Sequence, residues 1–348
     1  YIKVILSTHV DDIFVLSNKL GRSISAALLK AFQKRVEIEN LGPVTWALKT
    51  QILRDAEHGI LKISQEQYTV EILQKYHPKL AKDTQHGKET PYGQSAPESK
   101  NDVIDESLKP LLQSQLGALW WLAQISRPDI HLQVHQISKE INKPSATLQR
   151  RLTHIFEYLN ETRDLGIVYK RTQGGPVFTA HVDASFTSEN DSVSRIGYFY
   201  YFLGNLVSWC TENPHRTMTS STEAECYGLY EAARENVWQR QLQNELQLYK
   251  NILPTLMYED NQSSIALLAK EGVVHKRVKH FGVNWAFVKD CMKFKELQVV
   301  YLPTDEQPAD FLTKCLTHAK FKEHRNNVMG NEQLQKHFVL AHVDDSFL

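Results

Sequence analysis

The stretch VFTAHVDASF at residues 177–186, followed by RIGYFYYFLGNLVSW at residues 195–209, decides how the chain is read. Val177 to Val182, Arg195 to Leu203 and Leu206 to Trp209 are short runs rich in β-branched and aromatic residues, bounded by polar breaks, and predict three strands in succession. Gly204-Asn205 supplies the tight turn between the last two. Downstream of Trp209 helices and strands alternate. A long helix is predicted from Ser221 to about Leu246, then strand Thr255 to Tyr258, helix Gln262 to Ala269, helix Val283 to Met292, strand Leu297 to Leu302 and helix Pro308 to Leu316. Antiparallel strands followed by alternating helices and strands describe a mixed α/β sheet of five strands with helices on its faces.

Upstream, Gln173-Gly174-Gly175-Pro176 is the cleanest break in the sequence and marks a boundary. Before it, Ile2 to Leu6 and Ile13 to Ser17 read as a hairpin with Val10-Asp11-Asp12 at its tip. Ile24, Ala27, Leu28, Phe32 and Val36 recur at helical spacing up to Gly42-Pro43. Val44 to Leu53 and Ile60 to Ile63 read as strands around His58-Gly59. Ser64 with Gln67 forms a capping-box pattern for a helix ending at His77-Pro78. Residues 81–105 have the composition of a linker. Three helical patterns come next, Leu108 to Ile125, Ile130 to Ile141 and Ala146 to Leu159, and then a strand-like run, Leu165 to Tyr169.

At 348 residues the chain exceeds what one core usually organises, so two compact units are expected. Hydrophobic residues at 42% and charged residues at 23% exclude a disordered chain, and no apolar run approaches the roughly 18 residues of a bilayer span. The N-terminal residues YIKVILSTHVDD lack the pattern of a secretory signal and resemble the middle of a strand, which points to a piece of a longer chain. Four scattered cysteines, with no CxxC pair, suggest a reducing compartment and no structural zinc. Forty basic and forty acidic residues cancel, but unevenly: 23 basic against 19 acidic over residues 1–180, and 17 against 21 over residues 181–348. The acidic excess falls in the half where Asp183 closes its strand, Glu225 lies in the first turns of the long helix, Asp260 follows a strand and Asp310 opens the last helix. Strand ends and helix N-termini meet at one rim of such a sheet, and acids converging there supply the hard oxygen ligands that divalent cations need.

The ordered words Val182-Asp183-Ala184-Ser185, Ser220-Ser221-Thr222-Glu223-Ala224-Glu225, Glu259-Asp260-Asn261-Gln262-Ser263, Lys279-His280-Phe281 and Gln307-Pro308-Ala309-Asp310-Phe311-Leu312-Thr313-Lys314 closely resemble the ribonuclease H domain of copia-type LTR retrotransposon polyproteins. Val10-Asp11-Asp12, Ile63-Ser64-Gln65, Leu116-Gly117 and Arg127-Pro128-Asp129-Ile130 resemble the end of the same polyprotein's reverse transcriptase. The resemblance covers nearly all of residues 1–327. It implies a partial palm and thumb over residues 1–80, a linker and helical connection over 81–175, a ribonuclease H-like domain over 176–327 and a tail over 328–348. It further implies hydrolysis of the RNA strand of RNA/DNA hybrids with two Mg²⁺ ions, for which Mn²⁺ substitutes. Asp183, Glu225, Asp260 and Asp310 are the implied metal-binding catalytic carboxylates, with Asp183 the candidate to bridge both ions. Glu223 competes with Glu225 but is better placed as a helix N-terminal acid facing the macrodipole. The implied partners are the hybrid and the upstream remainder of the polyprotein, with no membrane. The implied location is intracellular, in cytoplasmic virus-like particles of the parent element with nuclear entry.

Asp11 and Asp12 match the polymerase metal-binding tip, whose third acid would lie upstream of Tyr1. His9 stands where the family usually has Tyr, and Ala47-Leu48-Lys49 replaces a Leu-Gly step. The basic segment His275 to His280, with Arg277, Lys279 and His280, is placed to track phosphates. His131 and His135 stand four apart, as metal ligands could, but read better as a packed pair. Trp120-Trp121 and the run Tyr198 to Phe202 fit core faces better than base-stacking surfaces. The echo of His9 to Phe14 in His342 to Phe347 is assigned no role. The alternative to a nuclease is an inactive remnant that binds nucleic acid or protein.

Overall fold

The computed structural model describes residues 3–82, 87–93, 102–172, 174–186, 193–215, 217–250, 253–270 and 282–337. The three successive strands form as expected: β7 (Phe178–Ser185), β8 (Arg195–Phe202) and β9 (Asn205–Glu212) pair antiparallel. The turn between the last two is Leu203-Gly204, both at positive φ (51° and 71°) as a two-residue hairpin requires, so Asn205 opens β9 instead of closing the turn. Its freed amide accepts from the Lys170 N–H at 2.7 Å and donates to the Lys170 carbonyl at 3.0 Å. Strands β10 (Thr255–Glu259) and β11 (Leu297–Tyr301) add in parallel on the other side of β7, giving the order β11-β10-β7-β8-β9.

Helix α7 (Ser221–Leu246) lies across this sheet. The Ser220 side chain caps it by accepting from the Glu223 N–H at 3.1 Å, while the Glu223 carboxylate accepts from the N–H and hydroxyl of Thr219 at 2.8 and 2.6 Å. Gly228 lets the helix approach closely: a Cβ there would sit 3.3 Å from Val182 Cγ1. On this face Ala180, Val182 and Tyr200 pack against Cys226, Leu229, Ala233, Trp285 and Val288, the last two from α9 (Gly282–Lys293); α8 (Gln262–Ala269) adds Leu268. The strand period sends Phe199 and Leu206 to the opposite face, into a second core.

That second core also holds Leu112, Leu119 and Leu122 of α4 (Lys109–Ile125), Val134 and Ile137 of α5 (His131–Glu140), Phe156 and Leu159 of α6 (Ala146–Glu161), Ala309, Phe311 and Leu312, and Phe321 of α10 (His318–Met329). A continuous apolar cluster thus joins residues on both sides of the Gly174-Gly175 break. Beside it runs a four-stranded antiparallel sheet of β3 (Trp46–Ala47), β4 (Thr50–Asp55), β5 (Ile60–Ser64) and β6 (Gly166–Lys170). The Arg127-Pro128-Asp129 word closes α4 with a buried network. The Arg127 guanidinium forks onto Asp129 at 2.7 and 2.9 Å and donates to the carbonyl and hydroxyl of Thr162, and Tyr158 donates to Asp129 at 2.6 Å. Burial pushes the Asp129 carboxyl up, and the guanidinium more than reverses this.

Several local expectations differ. Helix α1 (Arg22–Gln33) stops well short of Gly42 because none of its residues is buried, so no tertiary contact extends the apolar stripe to Val36. The run Val44 to Leu53 is two strands folded on each other at Leu48-Lys49, with φ 50° and 59°. Ser64 is held in the ladder opposite Gly166, so it caps nothing; α2 (Glu66–Tyr76) starts after Gln65 without a side-chain cap. A short α3 (Pro78–Lys82) comes directly after it. Within the stretch read as a linker, residues 87–93 are packed: the Tyr92 hydroxyl donates to the Leu316 carbonyl and accepts from its N–H, and Thr90 meets His154. The last expected helix is only a 3-10 turn, Pro308–Leu312, and α10 was not anticipated because few of its residues face the core. At the N-terminus β1 (Val4–His9) and β2 (Asp12–Ser17) form the expected hairpin.

Candidate active site

Parallel pairing of β7 and β10 sets their C-terminal ends side by side, which brings Asp183, Glu259 and Asp260 to one rim. Gln307 bolts the third element onto this rim. Its fully buried amide donates to the carbonyls of Val182 on β7 (2.9 Å) and Tyr258 on β10 (3.3 Å), so the adjoining Pro308–Leu312 turn delivers Asp310 between the strands. Gly197 leaves the space: a Cβ there would be 2.6 Å from Leu312 Cβ and 3.0 Å from Thr313 Cγ2. The N-terminal turns of α7 bring Glu225 from above, while Glu223 is turned back onto Thr219 and takes the capping role.

The acids fall into two adjoining groups. Carboxylate oxygens of Asp183, Asp260 and Asp310 lie within 4.8 Å of one another, and so do those of Glu225, Glu259 and Asp260. Asp260, not Asp183, is the member common to both. Exposures of 1% for Asp183, 5% for Glu225, 0% for Glu259 and 9% for Asp310 leave little water to screen the like charges. Burial, opposed by Lys314 and reinforced by Asp310, pushes the Asp183 carboxyl up to about 7. Burial and then Glu259 drive Glu225 well above the usual carboxylate range, and burial does the same to Glu259.

Lys314 balances part of this charge. Its ammonium donates to Asp310 Oδ1 at 2.8 Å and Asp183 Oδ1 at 3.4 Å, and the Thr313 hydroxyl donates to Asp183 Oδ2. Burial works against the charged ammonium, and the two carboxylates more than reverse it. One oxygen each of Glu225 and Glu259 (Oε2) is buried with no hydrogen-bond partner. Orphaned carboxyl oxygens in an all-carboxylate set, with neither thiol nor imidazole among them, fit hard divalent cations such as Mg²⁺ or Mn²⁺.

Over 326 residues, 92% of the chain, the sequence is 28% identical to the retrovirus-related Pol polyprotein from transposon TNT 1-94 of Nicotiana tabacum. It is 27% identical over 322 residues to the corresponding polyprotein from transposon RE2 of Arabidopsis thaliana. Over nearly its whole length the chain is similar to Pol polyproteins of copia-type retrotransposons. It spans about a quarter of the length of these relatives, 24% and 21% respectively. No family model matches it. Among solved structures, a foamy viral protease-reverse transcriptase in complex with RNA/DNA hybrid aligns with 89% of the chain and 37% of its own length, at 14% identity and a TM-score of 0.47.

The remaining candidates separate by environment. Asp11 and Asp12 sit at the tip of the exposed β1–β2 hairpin and join no acidic cluster among the described residues. His131 and His135 are buried against the Trp120 ring (5.6 and 6.3 Å), and burial pushes them down to about 3 and about 4, so both are neutral packing groups near pH 7. Phe199 and Tyr200 are core residues. A cleft of about 630 Å³ beside Trp120, Lys139 and Trp209 lies on β9, away from the carboxylates. Arg277, Lys279, His280 and the segment His342 to Phe347 lie outside the described residues. No described helix is long and apolar enough to cross a membrane.

Sequence reasoning missed Glu259, Lys314 and Gln307. Glu259 had a readable signal: it is in phase with buried Thr255 and Met257 on one face of β10. Lys314 stands four residues after Asp310, close enough to return to it across a single turn.

Proposed function

We propose that this segment carries the ribonuclease H of the polyprotein and hydrolyses the RNA strand of RNA/DNA hybrids with the help of two divalent cations, Mg²⁺ or Mn²⁺ in its place. The observation that carries this reading is the convergence of Asp183, Asp260 and Asp310 around one point with Glu225 beside them, from four separate elements. Similarity along most of the chain to retrovirus-related Pol polyproteins supports it. Such cations, when bound, activate water for attack on a phosphodiester and stabilise charge on the leaving oxygen. Asp183, Asp260 and Asp310 would hold one of them, with Glu225 and Asp260 serving the other.

The chain's own groups do the rest. Gln307 fixes the spacing of the strand ends, so the carboxylates are organised before substrate arrives. Thr313 and Lys314 orient Asp183 and Asp310 and lower the repulsion between them. Arg277, Lys279 and His280 contact the hybrid's phosphates. Residues 1–80 correspond to part of a reverse transcriptase palm and thumb and 81–175 to its connection, with Asp11 and Asp12 at the polymerase's metal-binding tip. The test is incubation of the chain with a hybrid labelled in its RNA strand, plus Mg²⁺, beside Asp183→Asn. RNA cleavage by the parent chain and none by the variant is expected. Equal background from both would leave a nucleic-acid or protein binding module as the function.

A further inference from the structure

Glu259 is the acid that the proposed chemistry leaves unused. It is the last residue of β10 and fully buried; its Oε1 accepts from the Asn261 N–H at 3.0 Å and its Oε2 has no partner. Glu225 Oε2, from the opposite element, is in the same condition, and oxygens of Glu225, Glu259 and Asp260 lie within 4.8 Å of one another. Two neighbouring buried carboxyls, each with an oxygen that finds no donor, are a costly arrangement in a folded protein unless a cation joins them. The ammonium of Lys314 is bonded to Asp183 and Asp310 and to neither orphaned oxygen.

We propose that Glu259 is itself a cation ligand and that Glu225, Glu259 and Asp260 form a divalent-cation site that Glu259 completes, adjoining the site of Asp183, Asp260 and Asp310. The inference rests on the metal-dependent nuclease reading and extends its ligand set from four carboxylates to five. Three hard oxygens on two strand-end residues and one helix residue suit Mg²⁺ or Mn²⁺. The Asn261 N–H holds Glu259 Oε1 and leaves Oε2 without a partner, so a neighbour's backbone fixes the ligand.

The test is titration of the chelator-stripped full chain with Mn²⁺, monitored by electron paramagnetic resonance and calorimetry, without nucleic acid. Two ions per chain are expected for the parent. Glu259→Gln should weaken one site about tenfold or more and spare the other; Asp310→Asn should weaken the other and spare this one. Thermal unfolding adds a readout that a packing role would not give. In chelator Glu259→Gln should unfold at a higher temperature than the parent because a repulsion is gone, and its gain on adding Mn²⁺ should be smaller. If circular dichroism shows Glu259→Gln misfolded, Glu259→Asp is titrated instead, and a weakened single site again supports the proposal. Parent-like Mn²⁺ binding at both sites in the folded variant overturns it, as does a lower unfolding temperature in chelator. Failure of hybrid cleavage with Glu259-dependent Mn²⁺ binding would sink the nuclease reading alone; cleavage with Glu259-independent binding would sink this inference alone.

Discussion

Replacing Asp183 by Asn should stabilise the cation-free protein above neutral pH and leave it unchanged in acid. Asp183 is 1% exposed, and its carboxyl is pushed from an ordinary value of 3.8 up to about 7 by burial and by Asp310, against the pull of Lys314. The folded chain therefore holds a proton that the unfolded chain releases, and stability falls as pH rises from about 4 through about 7. At about 1.4 kcal/mol per pH unit, that interval corresponds to a cost on the order of 4 kcal/mol once the group is ionised. Asn carries no such charge, while Glu225 and Glu259 titrate in both proteins and largely cancel in the difference. Urea unfolding of both proteins in chelator, at half-unit steps from pH 4 to 8.5, reads the effect. The two curves should coincide near pH 4 and separate progressively, with the variant more stable by up to about 4 kcal/mol at pH 8. A difference that does not vary with pH, or a variant less stable at pH 8, would refute the reasoning. Saturating Mn²⁺ should reverse the order, since only the parent gains binding energy at that site.

Three further outcomes are expected from particular contacts. Asp129→Ala leaves the buried Arg127 guanidinium without its anion and should cost about 3–5 kcal/mol in urea unfolding at pH 7. Lys49→Gly relieves a left-handed residue in the β3–β4 turn; after the added freedom of the unfolded chain is subtracted, a gain of about 0.5 kcal/mol is expected in the same assay. Gly197→Ala drives a methyl into Leu312 and Thr313, so it should cost about 1–3 kcal/mol and, by shifting the turn that carries Asp310, weaken Mn²⁺ binding in calorimetry.

The sheet and α7 were legible because each carries a strong local signal. β7 to β9 are runs of β-branched and aromatic residues between polar breaks, and Ser220 with Glu223 marks the start of α7 to the residue. Asp183, Glu225, Asp260 and Asp310 were readable from their places at strand ends and helix starts. Less was readable where tertiary contacts override local pattern. Ser64 has the spacing of a cap but is claimed by the ladder opposite Gly166, and the Leu48-Lys49 turn contains no glycine to announce it. Gln307 and Lys314 also reach residues more than a hundred positions earlier, Val182 and Asp183, and no local period reports those contacts. The Arg127-Pro128-Asp129 word, matched as a family signature, proves to be a buried ion pair that closes α4.

The converging carboxylates should make this segment a cation-dependent nuclease for hybrids. Single-turnover cleavage of an end-labelled RNA/DNA hybrid, with parallel single-stranded RNA and duplex DNA, tests it most directly across the parent chain, Asp183→Asn and Asp310→Asn. Mg²⁺-dependent cuts confined to the RNA of the hybrid and leaving 3′-hydroxyl and 5′-phosphate ends are expected, with at least about a hundredfold loss in both variants, on the order seen when transition-state electrostatics are removed. Cleavage that survives chelation, or variants that cut at the parent's rate, would contradict it.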